Sequence, residues 1–125
     1  MILLLFLLVF PPPDMVNIDG VGYVLEAEVY VNQQPMTSGK TTICIVRLVQ
    51  AERRRIDALH IENIYVFQGE DYVKFKPYNF RNEAYYIEAV GRFDTRFSVG
   101  SWVNVMVDVA GKQIGKECIK IKEVY

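Results

Sequence analysis

Apolar residues run without a break from Ile2 to Phe10, stop at Pro11-Pro12-Pro13, and from there on alternate with polar residues in short stretches. Alternation with a period of two marks strands that bury one face and wet the other. The first such stretch, Gly22 to Asn32, sets Tyr23, Leu25, Ala27, Val29 and Val31 against Val24, Glu26, Glu28, Tyr30 and Asn32. Asn32-Gln33-Gln34-Pro35 turns the chain, and Thr41 to Gln50 forms a second, more apolar strand carrying Cys44, Val46 and Leu48. Ile56 to Gln68 reads as a long strand or a bent pair with a bulge at Glu62-Asn63, in which Leu59, Ile61, Tyr65 and Phe67 share one side. Gln68-Gly69-Glu70-Asp71 is a turn, Tyr72 to Lys76 a short edge strand, Pro77 to Asn82 a loop, and Glu83 to Phe93 a fifth strand kinked by Gly91. Trp102 to Val109 presents Val103, Val105, Val107 and Val109 on one face, Gly111-Lys112 turns, and Cys118 to Tyr125 answers it.

About seven strands without helical periodicity or internal repeats predict an all-β fold, an antiparallel two-sheet sandwich. At 125 residues the chain suits one such domain, 14–125, preceded by an apolar segment and proline stop over 1–13.

The tract Ile2, Leu3, Leu4, Leu5, Phe6, Leu7, Leu8, Val9 and Phe10 is the sharpest departure from a plain sandwich. It has the apolar centre of a secretory signal, but no Lys or Arg precedes Ile2 and no small-residue cleavage site follows Phe10. A spanning helix needs about 20 apolar residues. The tract supplies roughly half that before the prolines end it. Burying its nine side chains would contribute on the order of 15–25 kcal/mol gross, before ordering entropy is subtracted. Three covers are open to it: the chain's own core, a neighbouring subunit, or a membrane. As a strand it needs cover on both faces, which a groove in a sandwich provides.

Charge changes the picture little. Lys and Arg number 14 against 15 Asp and Glu, with no basic stripe, so nucleic acid is not an expected partner. Arg53-Arg54-Arg55 reads as a solvated turn. Cys44 and Cys118 fit no metal-ligand spacing and stand either as a possible disulfide or as two ordinary thiols.

Catalytic chemistry finds no constellation. His60 is the single histidine, and with Glu62 it reads as an exposed pair. Ser38-Gly39-Lys40-Thr41-Thr42 lacks the earlier glycine and the helix of a phosphate loop, and Glu70-Asp71 and Asp14 with Asp19 lack a calcium-loop pattern. No enzyme activity, cofactor or metal is expected. Tyr30, Tyr72, Tyr78, Tyr86 and Trp102 are possible binding aromatics, with Phe80 and Phe97 as further candidates for exposure.

From Val29 to Tyr125 this layout resembles an immunoglobulin-like or fibronectin-type-III-like sandwich. Gly100-Ser101-Trp102-Val103-Asn104-Val105 and Ile119-Lys120-Ile121-Lys122 are similar to the closing strand pair of such domains. The hallmark disulfide packed on a central tryptophan is absent, because Cys118 opens the last expected strand and Trp102 the sixth. The sandwich architecture hosts adhesion modules, pilus subunits, chaperones and enzyme accessory domains alike, so function has to come from the site. The tract's hydrophobicity, together with the absence of a catalytic constellation, leads to the expectation of a non-enzymatic structural or assembly subunit of the cell surface or extracellular space. Its partner is expected to be a second copy or another β protein, joined by strand addition, with membrane anchoring by the tract as the other mode. The alternative is a carbohydrate- or protein-binding module behind a cleavable or mis-started signal peptide.

Overall fold

A computed structural model describes residues 14–32, 41–52 and 59–124. The tract Ile2–Phe10, the Ser38-Gly39-Lys40 motif and the Arg53-Arg54-Arg55 cluster lie outside the described residues. Within them are ten strands: β1 Met15–Ile18, β2 Val21–Asn32, β3 Thr41–Gln50, β4 Ile61–Gln68, β5 Asp71–Phe75, β6 Asn79–Asn82, β7 Tyr86–Asp94, β8 Trp102–Val109, β9 Lys112–Lys120 and β10 Lys122–Val124.

They form two sheets. The larger has the order β1-β2-β3-β7-β6, with β10 joining β2, and the smaller the order β5-β4-β8-β9. Every pairing is antiparallel except that of β10 with β2. The expected all-β two-sheet sandwich is therefore present, with three short strands beyond the seven expected. β1 pairs with β2 through an Ile18-Asp19-Gly20-Val21 turn whose central residues both have positive φ, 52° and 82°. Asp-Gly is the favoured pair for that two-residue hairpin. β6 forms in the segment expected as the loop 77–82, its four residues all exposed, because Asn79–Asn82 reaches the free edge of β7. The final expected strand divides at Ile121: β9 completes the smaller sheet and β10 crosses to the larger one.

The core lies between the sheets. Val29, Val31, Cys44, Val46 and Leu48 from the larger sheet meet Ile61, Ile64, Val66, Val103, Val105, Val107 and Ile114 from the smaller, all essentially buried. Phe97, expected as an exposed aromatic, is only 4% exposed and belongs to this core. Cys44 and Cys118 are both free, Cys44 buried in the core and Cys118 exposed on β9, so the possible disulfide between them is not formed.

The β8–β9 hairpin turns at Ala110-Gly111, with φ of 50° and 74°. Gly111 suits that conformation, whereas alanine is strained in it. Ala110→Asn is expected to raise stability by about 0.5–1 kcal/mol, read as a higher melting temperature by calorimetry.

Candidate functional site

One feature of β4 decides where the outer face of the smaller sheet becomes apolar. The β4–β8 register shifts between Ile61 and Asn63, the bulge expected at Glu62-Asn63. Its extra residue reverses the alternation. Ile61, Ile64 and Val66 therefore face the core, and Tyr65 and Phe67, expected to share a side with Ile61, face outward. On β8 the four valines take the core and Met106 the outer face.

Tyr65, Phe67 and Met106 form a second apolar cluster, separate from the core, and are 4%, 6% and 0% exposed. Opposite Met106 on β9 stands Gly115, also buried, which presents no side chain. The described strands make two layers only, so no described strand lies over this cluster. A methionine in the middle of an uncovered sheet face would keep part of its surface in water. Met106 is nonetheless fully buried, so this outer face carries a cluster removed from water.

The rim is polar and aromatic. Tyr72 and Lys74 on β5 lie across from Phe67 and Tyr65, with the Lys74 ammonium 5.7 Å from the Tyr65 ring centroid. Trp102, 58% exposed, closes the end of β8, and Lys120 sits 5.9 Å from its ring centroid. Asp108 anchors the opposite end, where its carboxylate accepts hydrogen bonds from Tyr65 Oη at 2.6 Å, Asn63 Nδ2 at 3.0 Å and Gln113 Nε2 at 3.2 Å. Beside Gly115, β9 bulges between its pairings with Val103 and Val105. Cys118 there takes a positive φ of 58°, and its N–H donates to Asn104 Oδ1 at 3.0 Å.

Burial, the bond to Asp108 and that nearby negative charge all raise the pKa of the Tyr65 hydroxyl above its usual 10.0. A proton held more tightly in the fold than in the open chain adds stability that is full below pH 10 and is lost as pH rises above it. Burial pushes the Cys44 thiol from 9.0 to about 12, with the same sign. Stability is thus expected to fall between about pH 9 and pH 12. Tyr65→Phe should flatten the part above pH 10, at a cost of about 1–2 kcal/mol at neutral pH, measured by urea unfolding across that range.

The five expected binding aromatics do not converge. Tyr72 and Trp102 belong to the outer face of the smaller sheet. Tyr30 and Tyr86 lie on the outer face of the larger one, and exposed Tyr78 on the connection between β5 and β6, within 5.2 Å of the Arg92 guanidinium. On the larger sheet, Glu26, Arg47, Val49, Tyr85 and Tyr86 line an open groove of about 300 Å³. Of its lining residues, Arg47 is paired across the strands, its Nε donating to Glu88 Oε2 at 2.7 Å and its guanidinium 3.7 Å from Glu28. Those charges satisfy one another. His60 is exposed and stacks on Phe80, with ring centroids 4.9 Å apart. Among the described residues no group of three His, Cys, Asp or Glu side chains is placed to hold a metal ion.

The outer cluster was hidden in the sequence by the bulge, although Ile64-Tyr65-Val66-Phe67 is a continuous apolar run. Such a run signals cover on both faces. The fold is an all-β antiparallel two-sheet sandwich that carries a second apolar cluster outside its core. Compared with protein families, curated proteins and solved structures, the chain matches none.

Proposed function

We propose that the chain is a non-enzymatic assembly subunit of the cell surface or extracellular space, in which an apolar N-terminal tract docks onto a sandwich. The observation that carries this reading is the outward-facing, buried cluster of Tyr65, Phe67 and Met106 in a chain that also holds nine consecutive apolar residues in need of cover. The two features are complementary in chemistry: an uncharged extended segment, and an apolar face rimmed by Lys74, Lys120 and Asp108. Extended peptides associate with sheet proteins through main-chain bonds at an edge and side-chain pockets beside it. β9 offers such an edge, next to the cluster.

Strand order supports the immunoglobulin-like character of the sandwich. Taking β2, β3, β4, β6, β7, β8 and β9 as strands A to G places ABED in one sheet and CFG in the other, with β5 added beside C.

Deleting Met1–Phe10 and measuring molecular mass by light scattering tests the reading. Full-length protein, concentrated and incubated, should form oligomers that the deletion variant under the same conditions does not. Equal masses for the two would rule out assembly through the tract. The exposure of both Trp102 and Tyr72 on the outer face of the smaller sheet favours a second reading, a ligand-binding module for carbohydrate. Loss of glycan binding in Trp102→Ala, unaffected by the deletion, would select it.

A further inference from the structure

The path of the chain into β1 limits where the tract can go. β1 pairs with β2 only as far as Met15 opposite Val24. Continued in register, Asp14 and Pro13 to Pro11 would run along Leu25 to Glu28, but proline has no N–H to give a ladder. Farther along the same edge, at Tyr30 to Asn32, β10 already occupies the place of a paired strand. The edge of the larger sheet is therefore closed to Ile2–Phe10 by proline chemistry at one point and by the chain's own C-terminal strand at the next.

The smaller sheet is the near neighbour. β1 touches β9, and Lys112 Nζ at the start of β9 donates to the Asn17 carbonyl at 2.5 Å. Four residues, Pro11 to Asp14, separate the tract from Met15 and reach about 12 Å when extended. Strands within a sheet are only ~4.8 Å apart and packed sheets ~10 Å. That reach brings the start of the tract to β9, the edge strand of the smaller sheet, where Gly115 presents no side chain opposite Met106.

We infer that the chain seats its own residues Ile2–Phe10 on the outer face of the smaller sheet, across Gly115 and over Met106, Tyr65 and Phe67. This rests on the tract being a docking element and adds the seat and its owner. Tract and face saturate each other within one molecule, so assembly proceeds by exchange: the tract leaves its own face and takes the identical face of a second copy. Exchange between identical sites gains no new contacts, so the oligomer is favoured only as protein concentration overtakes the effective concentration set by the short proline tether.

Cys118 supplies the probe, since it is exposed on β9 while Cys44 is buried and its thiol is held protonated. A nitroxide placed on Cys118 of ¹⁵N-labelled chain, at low concentration, should strongly broaden the amide signals of residues 2–10. A mixture of ¹⁵N chain without nitroxide and unlabelled chain carrying it should leave them sharp, and should broaden them only on concentration and incubation. Broadening in the dilute mixture as strong as in the self-labelled chain would overturn seating within one molecule and leave assembly standing. Sharp signals in both samples would overturn the seat itself, whatever the mass measurement shows. Gly115→Arg, which adds a side chain on the outer face without touching the core, should relieve the broadening while strand dichroism is kept. Unchanged broadening in that variant would also count against the seat.

Discussion

Met106→Asp is expected to cost most of the protein's stability at neutral pH, although position 106 faces away from the sandwich core. Met106 is fully buried, and a carboxylate there has no cation described in contact with it. Buried acids are documented with pKa values raised by up to about 3–5 units, and each unit is ~1.4 kcal/mol. The charge alone therefore costs about 4–7 kcal/mol, against a total stability of roughly 5–15 kcal/mol for a domain of ordinary size. A surface substitution would cost within about 0.5 kcal/mol. The folded pKa of the new acid lies above its unfolded value, so the loss is absent below about pH 4 and grows as pH rises towards the folded pKa. Urea unfolding of Met106→Asp and Met106→Leu, at acidic and neutral pH, measures it. The leucine variant should stay within about 1.5 kcal/mol of the parent. Repeating both in the chain lacking Met1–Phe10 forms a double-mutant cycle. On the proposed seat the aspartate should cost far less there, because removing the tract would open the position to water.

Gly91→Ala is the second large effect. Gly91 lies on β7 where the ring of Phe75 crosses from the smaller sheet, and an added Cβ would stand 2.3 Å from Phe75 Cε2 and 2.6 Å from Cδ2. The backbone at Gly91 is ordinary strand, so the glycine is needed for space. Phe75 also packs on Phe93, with centroids 5.2 Å apart, which limits its retreat. Overpacking of this kind costs about 1–3 kcal/mol. A drop in the urea midpoint without a change in slope would register it. Phe75→Leu combined with Gly91→Ala should lose less than the two changes added.

Period-two alternation placed Thr41–Gln50 and Trp102–Val109 to the residue, because each strand buries one face against the opposite sheet along its whole length. It failed where pairing rather than burial makes the strand. All four residues of Asn79–Asn82 are exposed, and Lys112–Lys120 mixes lysines, a glycine and a bulge, so neither carries an apolar rhythm. At Met15–Ile18 the hairpin signal was present in Asp19-Gly20, but four residues are too few for alternation to stand out. The candidate face was legible in part. Met106 interrupts a polar row on β8, and Tyr65 and Phe67 extend the apolar run of β4, yet their meeting depends on the shift of register after Ile61. A one-residue slip moves every following side chain to the other face, and only the paired strand reveals it.

The crossing of the chain at Ile121, from β9 in one sheet to β10 in the other, also sets how the molecule would bear load. β10 lies parallel to β2 along Tyr30 to Asn32. With the larger sheet held, a pull on the chain beyond Val124 runs along the strand axis and strains those bonds together in shear. The bonds of a hairpin pulled apart at its ends open one after another. The joint between the sheets therefore resists such a pull first through the short β10–β2 ladder, before any strand of the smaller sheet is drawn on.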